Sequence, residues 1–235
     1  PNYLIERYGA DTSRLFSLFA APPEKDLEWA DKGVDGAYRF LNRLWGIVYK
    51  NQSNIQHPIS NIQNISTLKP SALDLYRKTH QTIKKVTTDI EREYHFNTAI
   101  AGMMELVNEI MSFEPGSEED KAVFRFAIEQ LLLLLSPFSP HIAEELWAAI
   151  GNKPSIFGHS WPVWDEEAAK EEQIELVIQV NGKLRSKVMI SVGMSDDEVK
   201  KTALADQRIQ EILGESEIRK VLVVKGKLVN IVVGK

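Results

Sequence analysis

Residues 174–190 read IELVIQVNGKLRSKVMI. Ile174, Leu176, Ile178 and Val180 alternate with Glu175, Val177 and Gln179, the period-two pattern of a half-buried strand. Asn181-Gly182 follows, a pair suited to a type I′ turn, whose two central residues both need positive φ. Leu184, Ser186, Val188 and Ile190 continue one face of a second strand, and Lys183, Arg185 and Lys187 share the other. Ser195 with Glu198 is a capping box that opens a helical stretch toward Leu213. Residues 218–224 and 228–233 form a second hairpin around Lys225-Gly226. Residues 174–235 are therefore expected to make a small α+β domain of order ββαββ, its helix able to break in two, with one sheet face on the helix and one toward solvent.

Upstream of this stretch the period is 3.6. Asp11 is placed to cap a helix through Ala21 that stops before Pro22 and Pro23, with Leu15, Leu18 and Phe19 on one side. From Asp31 to Lys50, Val34, Ala37, Tyr38, Leu41, Leu44, Trp45 and Val48 recur at helical spacing, with Arg39, Asn42 and Arg43 off that stripe. The polar run 51–66, which contains Pro58, reads as a loop. Further helices are expected from Pro70 to about Tyr94, from an Asn97 cap to near Phe113, from Glu118 to Leu135, and after Pro140. Several long amphipathic helices with short connections make a bundle. The expected fold is an all-α helical bundle followed by the small α+β domain. The Gly-, Pro- and Trp-rich segment after Gly151 and the acidic run DEEAAKEEQ put a domain boundary within 163–173. Trp29, Trp45 and Trp147 are expected in the core or at a domain junction, since tryptophan is mostly buried. Trp161 and Trp164 are expected to fasten the irregular segment onto the bundle.

Composition narrows the function. The 235 residues carry no cysteine, which removes disulfides, thiol nucleophiles and cysteine-based zinc sites. The apolar run Leu131 to Leu135 is too short to span a bilayer. The five histidines, at 57, 80, 95, 141 and 159, have no metal-ligand spacing, and no glycine loop for phosphates or nucleophile elbow exists. His141 reads as a packing and capping residue, and His80 and His95 as partly exposed. Adjacent pairs such as Glu118-Glu119, Glu144-Glu145 and Glu171-Glu172 read as solvated faces or linker, because catalytic carboxylates normally converge from separate elements. A chain that begins at Pro1 rather than methionine is expected to be a fragment whose upstream part is missing. Binding and scaffolding, not catalysis, is the expected role.

Charge gives the partner class. Residues 174–235 hold 11 basic and 8 acidic side chains, whereas residues 1–173 hold 17 and 25. After Glu217 there is no acid, only Arg219, Lys220, Lys225, Lys227 and Lys235. A positive module beside an acidic body suits an anionic partner held through phosphates. Lys183, Arg185 and Lys187 on one strand face, with Lys225 and Lys227 in the second turn, are expected to form a continuous cationic surface; the plain alternative is a solvated face with lysines guarding an edge strand. No aromatic residue follows Trp164, so this module suits folded RNA rather than stacked single-stranded bases. Arg39, Arg43 and Lys50 fall on one face of the helix over 31–50.

The residues also carry a resemblance. ERYGADTSRLFSLFAAPPEKDLEWADKGVDGAYRFLNRLW (6–45), FNTAIAGMMELVNEI (96–110), SPFSPHIAEELW (136–147), WPVWD (161–165), VIQVNGKLRSKV (177–188) and KVLVVKGKLVNIVV (220–233) resemble the bacterial leucyl-tRNA synthetases. SPFSPHIAEELW is shared across related class I synthetases; the VNGKLR and KGKLVN hairpins are the specific part. The resemblance implies the tRNA-binding portion of a leucine–tRNA ligase, positioning tRNA(Leu) for ATP- and Mg²⁺-dependent leucylation by a catalytic domain outside this chain, which lies with the editing domain upstream or in a partner subunit. It implies no catalytic, cofactor or metal residue here, a monomer, a cytoplasmic protein and no membrane. It divides the chain into a stem-contact connection (1–30), a helical anticodon-binding-type domain (31–162), a linker (163–173) and a C-terminal tRNA-binding domain (174–235). It implies tRNA contacts at Lys183, Arg185, Lys225 and Lys227, with Lys187, Arg219 and Lys220 as weaker candidates, and at Arg39 and Arg43 on the bundle. Asn230 is expected to contact tRNA or support the hairpin, and Asp11 and Arg14 to act structurally at the junction with the catalytic domain. Valyl and isoleucyl relatives fit less well, lacking here their coiled coil and cysteine zinc site. A free-standing RNA-binding or protein-interaction module is the alternative from another class.

Overall fold

The computed structural model describes residues 2–20, 31–55, 62, 65–170, 173–214, 216–224 and 227–234. The readings made at Pro22, Pro23, Trp29, His57, Pro58, the Lys225-Gly226 turn and Lys235 lie outside them. The chain divides into two compact units, Pro1–Lys170 and Glu171–Lys235.

The larger unit is helical. Its elements are α1 (Asn2–Tyr8), α2 (Ala10–Phe19), α3 (Asp31–Lys50), α4 (Gln52–Ile55), α5 (Pro70–Glu93), α6 (Phe96–Ser112), α7 (Glu118–Leu135) and α8 (Pro140–Ala149). Helix ends follow local chemistry. Pro70 and Pro140 occupy first-turn positions where a missing N–H costs nothing. Tyr94 closes α5 in the left-handed conformation (φ 51°). Ser117 and Asp120 form a reciprocal capping box at the start of α7. Burial alone would raise the Asp120 carboxyl, but the Ser117 and Gly116 N–H groups and Lys69 together hold it below the usual carboxylate range.

One core joins these helices, with Leu15, Leu44, Ile83, Ile100, Met103, Leu106, Ile128 and Leu131 fully buried. Phe40 and Ile47 of α3 are buried, whereas Tyr38 and Trp45 are 43% and 39% exposed. The apolar stripe read along α3 is therefore split, because the bundle covers only part of its width. The polar run after Lys50 contains α4 and a 3₁₀ turn at Ile65–Thr67. Two expected caps are displaced. Gly9 stands at the N-cap of α2 and His95 at that of α6. Asp11 instead caps α8: its Oδ2 accepts from the Ile142 N–H (2.7 Å) and its Oδ1 lies 2.8 Å from His141 Nδ1. The His141 side chain is 79% exposed, so it is a surface residue set against Asp11 rather than a packing residue. Arg14 donates to the Pro137 carbonyl (3.2 Å), a second tie between α2 and the start of α8.

Residues 161–170 are held on the helices. Trp161 Nε1 donates to Thr87 Oγ1 (2.8 Å), Trp164 packs against the core, and Ala168 and Ala169 are buried. The Asp165 N–H donates to His80 Nδ1 (3.0 Å). His80 is buried rather than partly exposed, its ring packed against those of Tyr76 and Phe126, which also stack on each other. Burial lowers its pKa, and Asp165 opposes this only in part. A group whose folded pKa is depressed in this way binds fewer protons folded than unfolded. Its stabilising contribution is whole above the unfolded histidine pKa of ~6.5 and is lost as pH falls below it. The Asp165 amide is accordingly expected to exchange faster at pH 5.5 than at pH 7.5 after correction for intrinsic rates. His80→Gln should abolish that difference; an unchanged difference would show that another group titrates.

The smaller unit has the order β1 (Gln173–Val180), β2 (Lys183–Ser191), α9 (Asp196–Ala205), α10 (Gln207–Leu213), β3 (Ile218–Val224) and β4 (Leu228–Val233). The helical stretch breaks at Asp206, whose carboxylate caps α10 through the Ile209 N–H (2.9 Å). The sheet order is β2-β1-β4-β3, with β1 and β4 parallel and both hairpins antiparallel. Leu176, Ile178, Val180, Ile190, Val229 and Ile231 form a core with Val199, Ala203, Ile209 and Leu213 of the two helices. Among the described residues no helix is long and apolar enough to cross a membrane.

Candidate nucleic-acid interface

The first hairpin turn is rigidly tied. Asn181 and Gly182 have φ of 51° and 76°, as a type I′ turn demands. Asn230 Oδ1 accepts from the Gly182 N–H (3.0 Å), and Asn181 Oδ1 accepts from the Val233 N–H (3.1 Å). Asn230 thus braces the turn against β4, and Lys183 leaves from a fixed point.

Lys183, Arg185, Lys187, Arg219, Lys220 and Lys227 are all exposed, while Lys225 lies outside the described residues. They do not share one face. Gln179 pairs with Leu184 and Ile178 with Ser186, so Arg185 is the extra residue of a β-bulge. Directly paired residues point the same way. Lys183, opposite Val180, therefore lies on the helix-covered side, while Lys187, opposite Val177, lies on the outer side. The bulge also turns Leu184, expected in the core, out to 55% exposure. A second irregularity between Ile218 and Lys220 leaves Arg219 unpaired in the ladder, its guanidinium so close to Gly234 that a Cβ there would sit 2.8 Å from Nε.

Nor are Lys183 and Lys227 neighbours. Val180 pairs with Ile231 and Val177 with Leu228, so parallel pairing puts Asn181-Gly182, at the end of β1, and Lys227, before the start of β4, toward opposite ends of the sheet. Lys183, Arg219 and Lys220 gather toward the Asn181-Gly182 end, and Lys187 and Lys227 toward the other. Lys183 and Lys220 stand on the two edge strands, about 14 Å apart across three strand spacings. Lys187 is partly neutralised by Glu175 at 2.9 Å. The outer face is mixed, with Met189, Leu222 and Val224 exposed beside the Lys187–Glu175 pair.

On the helical unit Arg39 and Arg43 are exposed on α3, one turn apart. Beside them a cavity of about 410 Å³ opens between the α1–α2 junction, α3 and the start of α8. Tyr8, Asp11, Tyr38, Asn42, Trp45 and His141 help to line it. The sequence reading missed this cavity. Its one signal was that Tyr38, Trp45 and Tyr49 stand at i, i+7 and i+11, a stripe separable from Val34, Leu41, Leu44 and Val48. Among the described residues no group of three His, Asp or Glu could hold a metal.

The family model described as "Anticodon-binding domain of tRNA ligase" matches residues 73–201. The leucine–tRNA ligase of Geotalea uraniireducens (strain Rf4) is 52% identical over 240 residues, covering 100% of this chain and 28% of that protein. That of Geobacter sp. (strain M21) is 51% identical, covering 99% and 28%. A crystal structure of a ternary LeuRS-tRNA-LeuAMS complex from Agrobacterium radiobacter K84 matches with a TM-score of 0.71 at 29% identity, over 100% of this chain and 30% of that one. The chain thus spans a little over a quarter of the length of the curated relatives it matches. With more than half of its residues inside the family model and its whole length homologous to leucine–tRNA ligases, the chain belongs to the anticodon-binding domain family of tRNA ligases.

Proposed function

We propose that this chain is the tRNA-binding portion of a leucine–tRNA ligase. It holds tRNA(Leu) while a catalytic domain outside the chain uses ATP and Mg²⁺ to attach leucine. The observation that carries the reading is the 52% identity to a leucine–tRNA ligase over the whole chain. The charge distribution agrees with it, since residues 174–235 carry 11 basic and 8 acidic side chains in a chain that is acidic as a whole. Residues 1–30 act as the stem-contact connection, 31–162 as the anticodon-binding-type domain, 163–173 as the link and 174–235 as the second RNA-binding domain. Lys183, Arg185, Arg219, Lys220 and Lys227 grip backbone phosphates around the sheet rim, with Lys225 assigned to the same set. Lys187 contributes less, because Glu175 already pairs with it. Arg39 and Arg43 supply the contact from the bundle. The protein works as a cytoplasmic monomer.

Folded RNA is recognised by shape and phosphate contacts, so binding should be strongly salt-dependent. Titrating labelled tRNA(Leu) with the chain across a salt series gives the slope of log K against log salt. Lys183→Gln, Arg185→Gln and Lys227→Gln combined should flatten that slope by about 0.9 per lost contact and weaken binding at low salt. A triple variant with the parent slope and affinity would refute the assigned rim, and a parent chain without affinity for tRNA would refute the function.

A further inference from the structure

The cavity beside α3 has chemistry that phosphate contacts alone do not use. Tyr38, Trp45 and Tyr49 are 43%, 39% and 40% exposed, although tryptophan is highly buried on average. They are also braced. Tyr8 meets Tyr38 edge-to-face with centroids 5.5 Å apart, and its hydroxyl donates to Asp35 (2.8 Å). Trp45 stacks on Tyr49 at 4.7 Å. A platform preset in this way loses little entropy when something lies on it.

The surrounding charge selects the occupant. Asp35 of α3 is engaged by the Tyr8 hydroxyl, and beyond it residues 36–55 contain Arg39, Arg43 and Lys50 and no acid. Tyr38, Asn42, Trp45 and Tyr49 make one stripe of α3; Arg39, Arg43 and Lys50 make the next, one residue further round. The acid lining the cavity, Asp11, is already engaged through both oxygens by His141 and the Ile142 N–H. Aromatic rings flanked by a row of cations match a nucleotide, with its base on the rings and its phosphate on the cations. An apolar protein segment would use the rings and leave the cationic row unmatched.

We propose that this cavity takes an unstacked base of the bound RNA, laid against Tyr38 and Trp45 with the adjoining phosphates on Arg39 and Arg43. The inference rests on the tRNA-binding reading and names a second kind of contact within it. The test uses the 235-residue chain, tRNA(Leu) and the same tRNA containing 4-thiouridine for photocrosslinking. Trp45→Ala should weaken binding about tenfold, the usual loss for one base–aromatic stack. The salt slope should stay at the parent value, because no ion pair is lost. Trp45→Phe should keep most of the affinity, and crosslinks should map to the peptide containing Tyr38 and Trp45. If tRNA binds with a slope that depends on Lys183, Arg185 and Lys227 while Trp45→Ala and Tyr38→Ala bind as the parent does, the inference fails and the function stands. If Trp45→Phe loses as much as Trp45→Ala and both lower the melting temperature, Trp45 is structural and the inference fails. If the parent chain binds no tRNA, both fail together.

Discussion

Arg125→Ala is expected to destabilise the helical unit by about 3 kcal/mol, the low end of the ~3–5 kcal/mol that follows removal of one partner from a buried ion pair. Arg125 Nε donates to Glu129 Oε1 (2.8 Å), its Nη1 to the Ile55 carbonyl (2.7 Å) and its Nη2 to Asn152 Oδ1 (2.6 Å). The two charged side chains are only 14% and 11% exposed. Truncation leaves the Glu129 carboxylate with Asn152 Nδ2 (2.9 Å) as its remaining donor in this network and strands two acceptors. The network also joins the end of α4, the middle of α7 and the turn after α8, so part of the loss should appear as loosening of the 151–158 segment. Denaturant melts of the two proteins measure the difference. Arg125→Met with Glu129→Leu should recover most of it, because apolar replacement of a whole buried pair is commonly neutral or better. A loss for Arg125→Ala within about 1 kcal/mol, the range of an exposed pair, would show that water reaches the pair.

Ile178→Ala is expected to unfold the smaller unit at room temperature. Units of this size rarely hold more than about 3–5 kcal/mol, and truncating a fully buried isoleucine costs ~2–5 kcal/mol. Ile178 is 0% exposed at the centre of the sheet, paired with Ser186 on β2 and Val229 on β4. Its loss opens a cavity against α9 and α10, which have ten residues of buried core in all to share with the sheet. Slow exchange of the strand amides, such as Val177 and Asn181, should vanish while the helical signal of residues 2–170 persists. Binding of tRNA should lose the part of its salt slope that Lys183, Arg185 and Lys227 carry, because an unfolded hairpin no longer fixes their spacing. Strand amides that keep their protection in Ile178→Ala would show a sturdier core than the burial implies.

Much of the architecture is written locally in the chain. Pro70, Ser117 with Asp120, Pro140, and Ser195 with Glu198 announce helix starts because a cap needs partners only three residues away. Asn181-Gly182 announces its turn because positive φ is a property of the residues themselves. The candidate site was less legible. The cations Arg39, Arg43, Lys183 and Lys227 stand out from charge alone, but their mutual positions do not. Strict alternation put Lys183, Arg185 and Lys187 on one face, and a single bulged residue undoes that, since the side-chain period of a strand is two. Trp45 looked like core because periodicity marks where a helix is apolar and not which part of that stripe a neighbour covers.

The sequence by itself determined the two kinds of unit, the helix ends, the tight turn and the uneven charge, all of which depend on residues within a turn or a hairpin of one another. The tertiary structure alone decided that Asp11 caps α8 across the bundle, that the parallel pairing of β1 with β4 sets Lys183 and Lys227 toward opposite ends of the sheet, and that a braced aromatic cavity stays open beside a cationic row. Each of these joins groups dozens of residues or more apart, where long-range packing decides and local preference does not reach.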